Sequence, residues 1–180
     1  HVHPRGANGA ESQAAPDIAA TLRAVRAAVP GIPVGVATGA WIEPDPARRG
    51  SLIEGWSELP DYASVNLSET GAFEVMDTLL AKGVGIEAGI WNAEDAHRFV
   101  GYHAKNRVLR ILIEMQSPDG AEAIAMYHAT RHVLQTGSAT APVLLHGEGG
   151  SVWSMVHLAK AEGVDTRVGL EDGLLMPDGE

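Results

Sequence analysis

Six short apolar runs punctuate the chain: Pro33–Ala37, Ala63–Leu67, Val84–Glu87, Val108–Glu114, Val143–His146 and Thr166–Glu171. Each carries Val, Ile or Leu and stops near Gly, Asn, Ser or a charged side chain. Strands buried on both faces of a parallel sheet read this way. Helical periodicity fills the gaps. Asp17–Val29 sets Ile18, Leu22, Val25 and Val29 on one face, with Asp17 as the expected N-cap. Phe73–Leu80 repeats the pattern with Phe73, Met76, Leu79 and Leu80. Glu94–Lys105 predicts a third helix. Ser117-Pro118-Asp119 opens a fourth, reaching Gln135, with Ser117 as N-cap and Pro118 in the first turn. Ser151–Glu162 predicts a fifth. Gly83 and Gly163 fall where helices should stop before strands. Ala7–Ala15 and Ile42–Gly50 read as loops.

Alternating strands and helices predict an α/β domain with a parallel sheet. No glycine-rich phosphate loop follows an early strand, which weighs against a nucleotide-binding sheet. Polar and titratable residues recur at strand ends: Thr38, Ser68, Glu69, Glu87, Glu114, His146, Glu148, Glu171 and Asp172. A TIM (β/α)8 barrel gathers its site from that rim. The six runs plus a strand tip at His1–His3 fall one short of eight strands. The expectation is one partial barrel domain over residues 1–180. It would lack the first strand and helix, most of the second strand, and the last helix.

Composition narrows the classes. The 180 residues are 45% hydrophobic and 20% charged, which is globular rather than disordered. Lys plus Arg is 13 against 23 for Asp plus Glu, a formal charge of −10. That balance disfavours nucleic acid and membrane surfaces as partners, since both are anionic. The absence of cysteine excludes disulfides, thiolate metal sites and a Cys nucleophile. No apolar run approaches the roughly 20 residues of a membrane span, and the start does not read as a signal peptide. A cytoplasmic protein is the expectation.

Two motifs carry the candidate chemistry. In His1-Val2-His3, residues at i and i+2 of a strand share a face, so both imidazoles can meet one divalent metal. In Arg167-Val168-Gly169-Leu170-Glu171-Asp172, two adjacent carboxylates close a strand. One can ligate a metal, while the other accepts an Arg hydrogen bond or acts as a base. Two His and one carboxylate suit catalytic zinc, and also Fe²⁺, Mn²⁺ or Co²⁺. His97, His103, His128, His132 and His157 fall in helical stretches and read as surface or packing residues. His146 sits at a strand tip and is a candidate to line the site. Trp41 and Trp153 are candidates for a ligand wall, with Trp56 and Trp91 read as packing.

Together these motifs resemble the β-keto acid cleavage enzymes. The resemblance also rests on Pro33-Val34-Gly35-Val36-Ala37-Thr38-Gly39-Ala40-Trp41 and Ala63-Ser64-Val65-Asn66-Leu67-Ser68-Glu69. Val84-Gly85-Ile86-Glu87-Ala88-Gly89 and Leu144-Leu145-His146-Gly147-Glu148 continue it. It implies a zinc-dependent TIM barrel, usually a homotetramer. Such enzymes take a β-keto acid and acetyl-CoA and give acetoacetate and a new acyl-CoA. By that likeness His1, His3 and Glu171 bind one Zn²⁺ per chain. Asp172, oriented by Arg167, serves proton transfer, and Glu87 is an active-site carboxylate. Thr38, Gly39, Asn66, Ser68 and Glu69 hold the substrate. Ala37 stands where relatives often carry a hydroxyl, and Glu69 where they tend to carry Gly-Ser or Gly-Thr. The competing readings are a metal-dependent hydrolase or aldolase on the same barrel, and an inactive truncated relative.

Overall fold

The computed structural model describes residues 1–179. Six strands alternate with helices. They are β1 (Gly35–Ala37), β2 (Tyr62–Asn66), β3 (Gly85–Ile90), β4 (Arg110–Met115), β5 (Val143–Gly147) and β6 (Asp165–Thr166). The helices are α1 (Ala15–Ala28), α2 (Pro46–Glu54), α3 (Ala72–Ala81), α4 (Ala93–Val100), α5 (Gly120–Thr136) and α6 (Val152–Glu162). The chain divides into two compact units, His1–Glu87 and Ala88–Glu180, with the break inside β3.

In the first unit β1 pairs parallel to β2, with Gly35 opposite Tyr62 and Ala37 opposite Ser64. Gly35 is required there, because a Cβ would lie 2.1 Å from the Tyr62 ring. Val2 bridges in parallel to Val36, so His1-Val2-His3 lies along β1 as a short extended segment. That agrees with the strand tip expected there. The first half of β3 follows β2, with the Gly85 N–H donating to the Asp61 carbonyl at 3.1 Å. In the second unit β4, β5 and β6 pair in parallel. Strand neighbours thus follow chain order, and the expected α/β class with a parallel sheet is found. The burial of every residue of β1 and β5 explains their unbroken apolar character.

Helix starts depart from expectation in instructive ways. In α1 the N-cap is Ala14, without a side-chain cap, and Pro16 occupies the first turn. Asp17 instead accepts the Ser12 hydroxyl at 2.6 Å. Its buried face is Ile18, Ala19 and Leu22, and Val29 lies past the helix end, half exposed. The fourth predicted helix begins later, with Asp119 as N-cap accepting from the Glu122 N–H at 2.8 Å. Ser117 sits outside, its hydroxyl on the Glu122 carboxylate. The helix expected to reach Lys105 ends at Val100, and His103 lies beyond it. Segment 42–50, expected as loop, contains the start of α2. Asp45 caps it through the N–H groups of Ala47 and Arg48, with Pro46 in the first turn. Gly83 and Gly163 do follow helix ends, at φ of 75° and 67°, where a Cβ would be strained.

Candidate functional site

The first unit collects its polar side chains beside the start of the chain. The rings of His1 and His3 lie 5.1 Å apart and nearly perpendicular, at 74°. His1 Nδ1 is 3.3 Å from Ser64 Oγ, whose single proton goes to Glu87 Oε1 at 2.6 Å. With that proton spent, Ser64 can only accept from His1, so His1 carries its hydrogen on Nδ1. His3 Nδ1 faces Glu11 Oε1 at 3.2 Å. An ionised carboxylate only accepts, so His3 also carries its hydrogen on Nδ1. With Nδ1 donating in each ring, Nε2 is the nitrogen left for another partner, the arrangement that a carboxylate behind an imidazole imposes on metal-binding histidines.

Glu11 is itself held. Its Oε2 accepts from Trp41 Nε1 at 2.7 Å, and Arg5 lies 3.8 Å from Oε1. Slight burial pushes its pKa up, but the hydrogen bonds of Trp41 and His3 and the charges of His3 and Arg5 outweigh it. The net shift is downward. The Trp41 ring stacks on His3 at 6.1 Å and 26°, while remaining 58% exposed. Gly39 lies beneath that indole, where a Cβ would meet the ring at 2.0 Å.

The expected substrate residues form the neighbouring turns. Thr38 is buried and donates to the Ser64 carbonyl at 2.7 Å. The Gly39 carbonyl accepts from buried Gln13 at 3.1 Å. Glu69 accepts from Asn66 Nδ2 at 3.1 Å and from the Ala40 N–H at 2.9 Å, with buried Arg49 3.8 Å away. Glu69 therefore ties the Thr38–Ala40 turn to the Asn66–Glu69 turn. Ser68 is exposed on the latter.

The second unit holds a different cluster. Glu114 of β4 and His146 of β5 are direct partners in the parallel ladder. His146 Nε2 lies 3.8 Å from Glu114 Oε2, which accepts from Trp91 Nε1 at 3.3 Å. On the other side, His146 Nδ1 lies 3.1 Å from Asp172 Oδ1. The second Asp172 oxygen accepts from the Gly169 N–H at 2.7 Å, closing the turn after β6. This turn is why β6 is only two residues long instead of reaching Glu171 as the apolar pattern suggested. Arg167 binds Glu171 at 2.9 Å and stands 3.8 Å from Asp172. Burial pushes the Asp172 carboxyl up, but His146, Arg167 and the Gly169 N–H together bring it below the usual carboxylate range.

Of the residues expected from sequence, the structure brings His1, His3 and Glu87 together in the first unit, and Arg167, Glu171 and Asp172 in the second. Glu11 and Ser64, the partners of the two imidazoles, are not among the residues expected from sequence. Ser64 sits within the Ala63–Glu69 motif. Glu11 is eight positions from His3, across a turn whose closure only the Arg5–Glu11 antiparallel bridge reveals. His97, His103, His128, His132 and His157 are all exposed, as surface residues should be. Trp56 is buried, its Nε1 on the Gln13 carbonyl. Trp153 donates to the Leu175 carbonyl. Among the described residues no group of three His, Asp or Glu is set to hold a metal ion. The His1–His3 pair nonetheless fits two donors of such a site, since both imidazoles present the same nitrogen from one short segment.

A parallel sheet whose strands follow chain order, with helices between them, places the chain among the α/β proteins. Within that class, the chain belongs to the β-keto acid cleavage enzyme family, whose model matches residues 1–180. Two solved structures share the fold. Apo ObcA aligns with a TM-score of 0.69 and 15% identity, covering 91% of this chain and 46% of that one. The binary complex of ObcA with oxaloacetate aligns at 0.67 and 16%, covering 91% and 47%. The chain thus spans about half the length of these relatives. Comparison with curated proteins finds no match.

Proposed function

We propose that this chain carries out the cleavage of a β-keto acid with acetyl-CoA, releasing acetoacetate and a new acyl-CoA. The observation that carries it is the His1–His3 pair. Both imidazoles are backed through Nδ1, by Ser64–Glu87 and by Glu11, in a chain whose whole length matches the family. In the balanced exchange, the bond between the β-carbonyl and the α-carbon breaks. The acyl fragment passes to the CoA sulfur, and the acetyl group passes from sulfur to the carbon beside the carboxylate. No oxidant or reductant is consumed.

His1, His3 and Glu171 would hold one Zn²⁺ per chain. When bound, such an ion acts as a Lewis acid that polarises a ketone and stabilises developing negative charge on its oxygen. The chain's own groups divide the remaining work. Glu11 and the Ser64–Glu87 pair fix the two imidazoles. Asp172, with Oδ2 tied to Gly169, takes or gives the proton at Oδ1. Arg167 sets Glu171 and lends positive charge to Asp172. The turns at Thr38–Gly39 and Asn66–Glu69, joined by Glu69, are the proposed carboxylate- and carbonyl-binding edges. The oxaloacetate bound by ObcA is a β-keto acid carrying a second carboxylate, which makes small dicarboxylic keto acids the first substrates to try. We further propose a partial (β/α)8 barrel assembled as a homotetramer in the cytoplasm.

The test joins metal content to turnover. Elemental analysis of the purified chain should find about one zinc per chain, lost in His3→Ala and in Glu171→Ala. Acetoacetate release should then require both acetyl-CoA and a β-keto acid. A folded chain without metal, or with metal that survives both substitutions, would sink the site as proposed.

A further inference from the structure

The proposed reaction makes no use of His146, yet it is one of the most enclosed polar groups in the second unit. Its side chain is 2% exposed, and that of Asp172 is 4% exposed. Both ring nitrogens face carboxylates: Asp172 Oδ1 lies 3.1 Å from Nδ1 and Glu114 Oε2 lies 3.8 Å from Nε2. Neither nitrogen makes a well-aligned hydrogen bond. A buried imidazole without a well-aligned hydrogen bond costs stability, so its close approach to Asp172 calls for a role. Arg167 cannot be that neighbour's main support, since it spends its close contact on Glu171 at 2.9 Å and stays 3.8 Å from Asp172.

We propose that His146 is the positioning residue of Asp172, its Nδ1–H directed at Oδ1 so that the carboxylate is held between His146 and the Gly169 N–H. This rests on Asp172 being the proton-transfer carboxylate of the proposed reaction. Oδ2 is committed to Gly169, so Oδ1 is the oxygen that would exchange the proton, and His146 is its nearest polar neighbour. The strand register fixes the ring: His146 stands beside Glu114 in the ladder, and Glu114 is itself anchored by Trp91 and Gln116. The imidazole is thereby set between two carboxylates and can hold Oδ1 in one direction without solvent.

The test uses the full chain and reads position before activity. Nitrogen-15 NMR should find His146 protonated on Nδ1, with that signal lost in Asp172→Ala. An Nδ1 without a proton would overturn the proposal. His146→Phe preserves bulk and removes the donor. It should speed hydrogen exchange at the Gly169 N–H by about tenfold, the scale of losing a charge-assisted contact. His146→Gln keeps a donor and should bring the change below roughly threefold. Unchanged exchange in His146→Phe, or equal change in both variants, would reduce His146 to packing and refute the assignment. In turnover, His146→Phe should lower kcat about 10–100-fold with little change in KM, with partial recovery in His146→Gln. Should Asp172→Asn keep full activity, Asp172 is not the proton carrier and the functional reading fails. The exchange and tautomer results would still decide whether His146 positions Asp172.

Discussion

The two units each contain an imidazole whose Nδ1 faces a carboxylate, at 3.2 Å for His3–Glu11 and 3.1 Å for His146–Asp172. The chemistry is the same and the surroundings are opposite. The first pair is 27% and 24% exposed, open to water under the Trp41 indole. The second is 2% and 4% exposed. Water screens the first pair, so it contributes little to stability, and its worth lies in fixing a tautomer. The second pair cannot fall back on solvent, so each partner depends on the other. Burial, not distance, separates the two contacts: one is screened by water, and the other has only its partner.

Breaking the buried pair should have the largest effect. Asp172→Asn is expected to lower acetoacetate release by about 10²–10⁴-fold, the range for a lost acid–base group. Glu11→Gln should lower it by about 10–100-fold, as loss of a carboxylate behind a metal ligand does. Steady-state kinetics at saturating metal compares them, and equal losses would abolish the distinction. In urea unfolding, Asp172→Ala should cost about 3 kcal/mol, because it leaves the buried His146 without its facing carboxylate and the Gly169 N–H without its acceptor. Glu11→Ala should stay within about 1 kcal/mol.

The same lesson can be posed without titratable groups. A Cβ on Gly35 would lie 2.1 Å from Tyr62, and one on Gly39 would lie 2.0 Å from Trp41. Tyr62 is buried and Trp41 is open to solvent. Thermal unfolding should show Gly35→Ala costing about 1–3 kcal/mol, as overpacking does. Gly39→Ala should cost under about 1 kcal/mol, because the indole can swing aside. It should, however, release Trp41 from His3, visible as a change in tryptophan fluorescence. The smallest effect concerns Asp61, where the Val34 N–H lowers the pKa first, slight burial opposes, and Arg26 lowers it further. A folded pKa below the unfolded one gives stability that is present above about pH 4 and lost as pH falls through the folded value. Asp61→Asn should therefore destabilise at pH 7 by under about 1 kcal/mol, and the penalty should fade as pH falls through the folded value. A penalty that persists in acid would contradict the assignment.

Much of the fold was legible because period and punctuation agree. The apolar runs around Val36, Val65, Ile86, Ile113 and Leu145 all form strands, since short aliphatic runs bounded by turn residues fit buried strands. Helix α2 was not legible from its apolar pattern, which offers only Leu52 and Ile53 as large apolar residues. The Asp45-Pro46 cap was its signal. Starts at Ala14 and Asp119 show the converse: several polar residues compete for one cap, and local geometry chooses.

For the site, the sequence by itself determined which residue types stand at which strand ends. His1, His3, Glu87, Glu114 and His146 lie in or along strands that alternation and strand length predict, while Glu171 and Asp172 fall in the turn after β6. It also carried the family. Partnership was decided only in three dimensions. That Glu11 stands behind His3, that Ser64 links His1 to Glu87, and that His146 rather than Arg167 lies nearest Asp172 depend on strand register and loop closure. Those contacts join residues as far as 63 positions apart. No periodicity reports them, because it describes which way a side chain faces and not what it meets there.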